Sequence, residues 1–253
     1  MENNIELGEK NKELEKMNRE LEAFNYIASH DLQEPLRKIQ TFAGLVLQHE
    51  VATLSDKAKG YFLKMQDSAL RMQRLIKDLL SYSQATKSEK DFEKTDVNKI
   101  VEDLISDFRE LTHAKNATFT VSALCQPRII PFQFRQLIHN LISNSLKFIS
   151  PERPPHIIIK SETALGSKFQ NIELVLEKKY CYISFSDNGI GFNPEYKNKI
   201  FELFQHLNPK DQYPGTGIGL AIVKKIIENH NGLITVTSEI NKGTTFGIYI
   251  PED

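Results

Sequence analysis

The sequence predicts two dissimilar units in one chain, an N-terminal pair of long helices and a C-terminal α+β domain. Three observations carry this. Apolar residues recur at steps of three, four and seven from Leu7 to Ser83, the spacing of amphipathic helices. Between Ser81 and Lys94 the chain turns polar and charged, as a linker does. Beyond Phe92, helical patterns alternate with short runs rich in β-branched and aromatic residues, which indicates a sheet covered by helices on one side.

Leu7, Leu14, Met17, Leu21, Phe24 and Ala28 follow coiled-coil spacing. A single amphipathic helix packed on its own domain is the alternative. The pattern runs on into Ser29–Leu36. At about 100° per residue, Leu14, Met17, Leu21, Ala28, Leu32, Ile39 and Ala43 share one side, and His30, Gln33, Glu34 and Arg37 project from the other. His30 is therefore no core histidine. It is either a solvated side chain on a charged face or a group placed for chemistry. Pro35 cannot donate to the helical ladder, so a kink is expected one turn after His30.

His49 to Ser55 lacks helical periodicity and ends in a good N-cap residue, Ser55. A second long helix follows, with Phe62, Met65, Ala69, Met72, Ile76, Leu79 and Ser83 on its apolar face. The apolar stripe of such a hairpin is too large to leave in water. Two copies pairing as a four-helix bundle would bury it, and so would a cover from the C-terminal domain. In that domain Asp96 to Leu111, Phe132 to Phe148 and Ile218 to His230 read as helices, the last stopped by Asn231-Gly232. His156 to Thr163, Ile172 to Leu176, Tyr180 to Ser186, Leu233 to Ser238 and Thr244 to Ile250 read as strands.

Composition narrows the function classes. The chain is 40% hydrophobic and 26% charged with a net charge of -1, which gives no sign of a nucleic-acid or anionic-membrane surface. No apolar run is long enough to span a membrane, and the acidic start is unlike a signal peptide. Cys125 and Cys181 are far apart and lack metal or redox spacing, so two small core residues without a disulfide are expected, in a reducing compartment. A cytoplasmic protein, or a soluble piece of one, is the expectation.

Asp187-Asn188-Gly189-Ile190-Gly191 follows a predicted strand, which places a carboxylate at a strand end with two glycines beside it. Glycines there let backbone approach a ligand closely. Gly215-Thr216-Gly217-Ile218-Gly219-Leu220 runs directly into a helix, and a glycine loop opening a helix offers N–H groups and a positive dipole end to phosphates. Its spacing differs from the dinucleotide fingerprint and no strand directly precedes it, which argues against a Rossmann domain. Asn140 and Asn144 lie four apart on one helix face, with Lys147 three residues further on. Two amide oxygens and a cation there could serve a hydrated Mg²⁺ and a phosphate. An ordinary polar helix surface is the competing reading.

In this order and combination the motifs closely resemble those of the sensor histidine kinases of two-component signalling. The His30 stretch looks like their H box, Asn140–Phe148 like the N box, Asp187–Gly191 like the first glycine box, Phe201–Phe204 like the F box and Gly215–Gly219 like the second glycine box. The wording after His30 is most like the phytochrome-type subgroup. The resemblance implies a dimeric four-helix bundle carrying a phosphoacceptor His30 and a separate α/β sandwich of the GHKL (Bergerat) type that binds ATP and Mg²⁺ under a mobile lid, Gln205–Pro214. It implies residues 1–24 as a coiled-coil signalling helix, 25–86 as the dimerisation and phosphotransfer domain and 92–253 as the ATP-binding domain. By the family pattern Asp31 is the acidic neighbour that assists His30, Asp187 takes the adenine amino group, and Asn144 holds Mg²⁺. Asn140, Lys147, Phe148, Gly189, Gly191, Lys210, Gly215, Thr216, Gly217, Gly219 and Leu220 complete the nucleotide site, and Phe201 and Phe204 anchor the lid. The implied partners are a second copy of the chain, a separate response-regulator receiver domain, and a sensor domain that normally precedes the coiled coil.

Two positions depart from the family pattern. Glu34 stands where many relatives have Thr or Asn four residues after the histidine, so weak phosphatase activity is expected. His206 stands where an Arg often follows the F box, and a neutral or partly protonated imidazole is a poorer phosphate clamp than a guanidinium. Two rival readings stay open on sequence alone: an ATP-driven clamp of the same nucleotide-binding superfamily, and a dimeric scaffold with a decayed site. The clamps typically carry Glu at the position of Asn140.

Overall fold

The computed structural model describes residues 31–50, 52–85, 91–169, 174–207, 213 and 215–252. The chain divides into two compact units, Met1–Gln84 and Ala85–Asp253. The proposed coiled coil of residues 1–24, together with His30, lies outside the described residues.

In the first unit, helix α1 covers residues 31–49 and runs without interruption across Pro35. Helix α2 covers Asp56–Ala85. Ser55 caps α2 as expected, its Oγ accepting the Ala58 N–H at 3.2 Å. The two helices meet through Gln40, whose amide donates to Gln73 at 3.0 Å, and through Gly44, where a Cβ would lie 3.3 Å from the Gln66 amide. Leu36, Ala43 and Ala69 are buried, whereas Leu32, Ile39, Phe42, Leu45, Met65, Leu70 and Met72 are exposed. Leu32 and Ile39, on the face expected to be covered by a second copy, are thus uncovered in the single chain. The apolar surface of α1 is wider than one stripe, so Leu32 and Ile39 stay on the surface of the single chain. The start of the expected linker is corrected, since α2 continues through Ser81–Gln84 to Ala85; a polar run ends a helix only if it also lacks helix propensity.

The second unit is built on a five-stranded mixed sheet in the order β2-β4-β5-β7-β6. The strands are β2 (Thr118–Val121), β4 (His156–Leu165), β5 (Lys179–Asp187), β6 (Leu233–Glu239) and β7 (Gly243–Glu252). Among the described residues only β2 and β4 pair in parallel. A two-stranded ribbon, β1 (Glu93–Lys94) with β3 (Arg128–Ile129), precedes the long helix α5 (Pro131–Lys147). The other helices are α3 (Val97–Asp107), α4 (Arg109–Ala114) and α6 (Gly219–Asn229).

Alternation along the strands explains the layers. Ile157 and Ile159 of β4, Cys181, Ile183 and Phe185 of β5, and Phe246, Ile248 and Ile250 of β7 are buried, so the middle of one sheet face is apolar. The helices supply the matching surface with Val97, Val101, Leu104, Phe134, Leu137, Leu141, Ile222 and Ile226, all buried. Pro131 opens α5 at a position where no N–H is needed. Buried His230 closes α6: its Nδ1–H donates to the Ile226 carbonyl at 2.7 Å and its Nε2 accepts the Ile130 N–H at 3.0 Å.

Three further expectations are corrected here. The helix expected from Asp96 to Leu111 begins after Asp96, which caps it by accepting the Asn98 N–H, and breaks at Phe108 into α3 and α4. Residues 174–176, read as part of a strand, lie in the β4–β5 connection with Val175 and Leu176 exposed; β-branched composition alone cannot separate a strand from a connection. Cys125 and Cys181 are joined as a disulfide with their Cα atoms 6.2 Å apart. The loop after β2 crosses the sheet at β4, where the Cys125 N–H donates to Ser161 Oγ at 2.8 Å, so two cysteines distant in sequence become neighbours in space.

Candidate functional site

The end of β5 places Asp187 against α5. Ser145 Oγ donates to Asp187 Oδ2 at 3.1 Å, and the Gly189 N–H donates to Oδ1 at 2.9 Å. The Thr244 N–H is a third donor to the same carboxylate. Burial pushes the Asp187 carboxyl above the ordinary aspartate range, and these three hydrogen bonds pull in the other direction. A carboxylate held this way by the protein keeps lone pairs for one further donor, such as an amino group.

On α5, Asn140 donates from Nδ2 to the Gly219 carbonyl at 3.2 Å and so ties α5 to the first residue of α6. Asn144 lies one turn further on and is half-buried. Lys147 places its ammonium 4.4 Å from the centre of the Phe148 ring and fills the space a Cβ on Gly215 would need, at 2.4 Å. Burial pulls its pKa below the usual lysine range. The Phe148 ring stands 5.2 Å from that of Tyr213. Lys147 is thus a partly desolvated cation beside a glycine loop.

That loop has the conformation its glycines allow. Gly217 sits at φ 76, with a would-be Cβ 2.7 Å from the Phe204 carbonyl carbon. Thr216 Oγ1 accepts the Ile218 N–H at 3.4 Å, and Gly219 and Leu220 open α6. The first turn of a helix has N–H groups outside its own ladder, which suits an anion. Gly191, at φ 60, turns the first glycine loop against the Glu239 carbonyl, where a Cβ would lie 2.0 Å away. Phe201 packs edge-on to Phe246 at 6.5 Å. Phe204 is exposed and has φ 62.

The structure therefore brings Asn140, Lys147, Phe148, Asp187, Gly189, Gly215, Gly217 and Gly219 into connected positions on α5, the end of β5 and the start of α6. Asp31 is exposed on α1, in the other unit, and His30 and Lys210 lie outside the described residues. Ser145 and Thr244 were missed. Ser145 carried a faint signal, a small polar residue four after Leu141 on the apolar side of its helix; Thr244 acts through its backbone and carried none.

Residues 20–88 match the model of the His Kinase A (phospho-acceptor) domain, and residues 130–253 match that of the histidine kinase-, DNA gyrase B- and HSP90-like ATPase. The chain belongs to the two-component sensor histidine kinase family. Among curated relatives, cyanobacterial phytochrome A of Nostoc sp. is 37% identical over 90% of the chain and 28% of its own length. Phytochrome-like protein Cph1 of Synechocystis sp. is 32% identical over 90% of the chain and 29% of its own length. The chain thus spans less than a third of these relatives. Full-length ShkA in complex with AMPPNP shares the fold at a TM-score of 0.63 and 20% identity, covering 90% of this chain and 45% of that one. Among the described residues no helix is long and apolar enough to cross a membrane.

The second glycine loop of this family member supplies a direct test of the site. Gly217→Ala would put a Cβ into the backbone of Phe204 and Gln205 at a φ that L residues rarely adopt. The loop must move, and ATP affinity is expected to fall by about tenfold or more. Calorimetric titration with ATP, alongside an unchanged far-ultraviolet circular dichroism spectrum, checks this.

Proposed function

We propose that the chain is an ATP-dependent protein histidine autokinase that phosphorylates His30 and passes the phosphoryl group to an aspartate on a separate response-regulator receiver domain. The observation that carries the proposal is the presence in one chain of a phosphoacceptor-domain match over residues 20–88, which contains His30, and an ATPase-domain match over residues 130–253. On this reading residues 1–24 form a signalling coiled coil, 25–86 the dimerisation and phosphotransfer domain, and 92–253 the catalytic domain. The exposed apolar side chains of α1 and α2 are the surface a second copy would cover, as a four-helix bundle. The cytoplasm is the compartment that supplies ATP.

Asp187 would accept the exocyclic amino group of adenine, beside Phe148. Lys147, Asn140, Lys210 and the loop Gly215–Gly219 would bind the phosphates, and the amide oxygen of Asn144 would hold Mg²⁺. Oxygen donors suit that ion, which would neutralise phosphate charge. Transfer needs a neutral imidazole, the form an exposed histidine mostly has at pH 7 given an ordinary pKa of about 6.5. One ring nitrogen of His30 attacks the γ-phosphorus, the bond to the β–γ bridging oxygen breaks, and ADP leaves. Asp31 accepts a hydrogen bond from the other ring nitrogen and helps remove its proton. Positioning and charge neutralisation do the rest, as is usual in phosphoryl transfer.

Incubation with γ-labelled ATP and Mg²⁺ tests the reading. The expected product is protein-bound label that is labile in acid and stable in base, the signature of a phosphorus–nitrogen bond. Free phosphate without protein label would point to a clamp-type ATPase, and no turnover to a scaffold.

A further inference from the structure

Arg153 belongs to none of the family motifs, yet its guanidinium is placed against the loop that carries Asp187. It lies in the connection between α5 and β4, where Pro151, Pro154 and Pro155 stiffen the backbone. Its Nε donates to the Asn188 carbonyl at 2.8 Å, and its Nη2 donates to the Gly189 carbonyl at 3.1 Å and to the Asn241 carbonyl. A guanidinium seated on three main-chain carbonyls uses its fixed fork of donors to hold backbone in place.

The peptide groups concerned are those that orient Asp187. The unit joining Asn188 to Gly189 is held at both ends, its carbonyl by Arg153 and its N–H by Asp187 Oδ1 at 2.9 Å. A cation on the carbonyl draws electron density from the amide and makes that N–H a stronger donor. The next unit is held likewise, with the Gly189 carbonyl on Arg153 and the Ile190 N–H on the Phe148 carbonyl at 3.0 Å. The third carbonyl belongs to Asn241, in the turn between β6 and β7, whose own N–H donates to the Ile190 carbonyl at 2.7 Å. β7 begins just after that turn and supplies the Thr244 N–H to Asp187. The Asn188 side chain completes the brace, donating to the Pro154 carbonyl at 2.9 Å and accepting the His156 N–H at 2.7 Å.

We propose that Arg153 is a positioning residue for nucleotide recognition: through the Asn188–Gly189 peptide and the β6–β7 turn it aims the Asp187 carboxylate at the amino edge of adenine. It acts through Asp187 and touches no nucleotide itself. The proposal rests on the reading of the site as an ATP site and adds a residue that decides which base the site prefers.

The test compares binding of Mg-ATP and of Mg-purine riboside triphosphate, which lacks the 6-amino group, by calorimetry on the full chain. Wild type is expected to prefer ATP. In Arg153→Met the affinity for ATP should fall by about tenfold, the size of one misplaced charge-assisted hydrogen bond, while that for the purine analogue changes little. Arg153→Lys, able to satisfy one carbonyl at a time, should fall between. Added to Asp187→Asn, Arg153→Met should cause no further loss of discrimination. Loss of affinity for both nucleotides alike, or an unchanged preference in a folded variant, overturns the role of Arg153 alone. Should Arg153→Met fail to fold, Arg153→Lys is judged by the same ratio. A wild type that binds ATP without preferring it overturns the role of Asp187 and this proposal with it, and a wild type that binds neither nucleotide overturns the ATP site altogether.

Discussion

Replacing His30 by alanine is expected to reduce acid-labile labelling of the chain by γ-labelled ATP to background, a loss on the order of 10³-fold or more, as when a nucleophile is removed from other enzymes. Asp31 does not substitute. A phosphorylated carboxylate is an acyl phosphate, which base destroys, so the stability profile distinguishes the two. The nucleotide-site residues belong to the other unit, Ala85–Asp253, so ATP should bind His30→Ala with the affinity of wild type. This separates loss of the acceptor from loss of the donor. Mixing His30→Ala chains, which retain the ATP site, with Asp187→Asn chains, which retain the acceptor, restores label if transfer crosses between copies and leaves the mixture unlabelled if it stays within one. Label that survived in His30→Ala alone would sink the assignment.

Much of this reading was open to inspection in the residues, because the chemistry sits in contiguous motifs. Helix α5 was found to within a residue at each end, since Asn140, Asn144 and Lys147 interrupt an otherwise periodic apolar pattern without breaking its phase. The strand before Asp187 was found because β-branched and aromatic residues run straight into a glycine turn. What the motifs could not show was anything carried by pairs distant in sequence. Cys125 and Cys181 meet only because the loop after β2 passes over β4. The strands β1, β2 and β3 are short and depend on partners far along the chain, so their own residues announce little. Leu32 and Ile39 were assigned to a burying face, and that assignment waits on a second copy of the chain. Arg153 stood in a proline-rich connection, where a charged side chain ordinarily reads as solvated. Its role is visible only once three carbonyls from two loops converge on it.

Asp187→Asn is expected to separate stability from function. Burial raises the carboxyl of Asp187 above its ordinary range, so the folded state favours the protonated form more than the unfolded chain does. The sign follows from linkage. Between the unfolded aspartate value of about 3.9 and the raised folded value, the native state holds more proton. Stability contributed by this group is therefore full at the acid end and declines as pH rises through that window, reaching its lowest level where the carboxylate is ionised. At neutral pH the wild type carries the cost of a buried charge, and asparagine removes it. The variant should melt at the same temperature as wild type or higher at pH 7, with the gap closing in acid, provided its amide is turned so that its oxygen meets the Gly189 N–H. Nucleotide binding runs the other way. An ionised carboxylate accepts from the amino group of adenine, and an amide already using its oxygen presents its NH₂ donors instead. Losing a hydrogen bond to a charged acceptor costs about 1.5–3 kcal/mol, so ATP affinity should fall by about 10- to 150-fold. In wild type the same logic makes ATP affinity drop as Asp187 takes up its proton, at a pH above that of an ordinary aspartate. Asp187→Asn should show no such inflection. A variant that is less stable and still binds ATP tightly would mean that Asp187 is a structural carboxylate and that the base is read elsewhere.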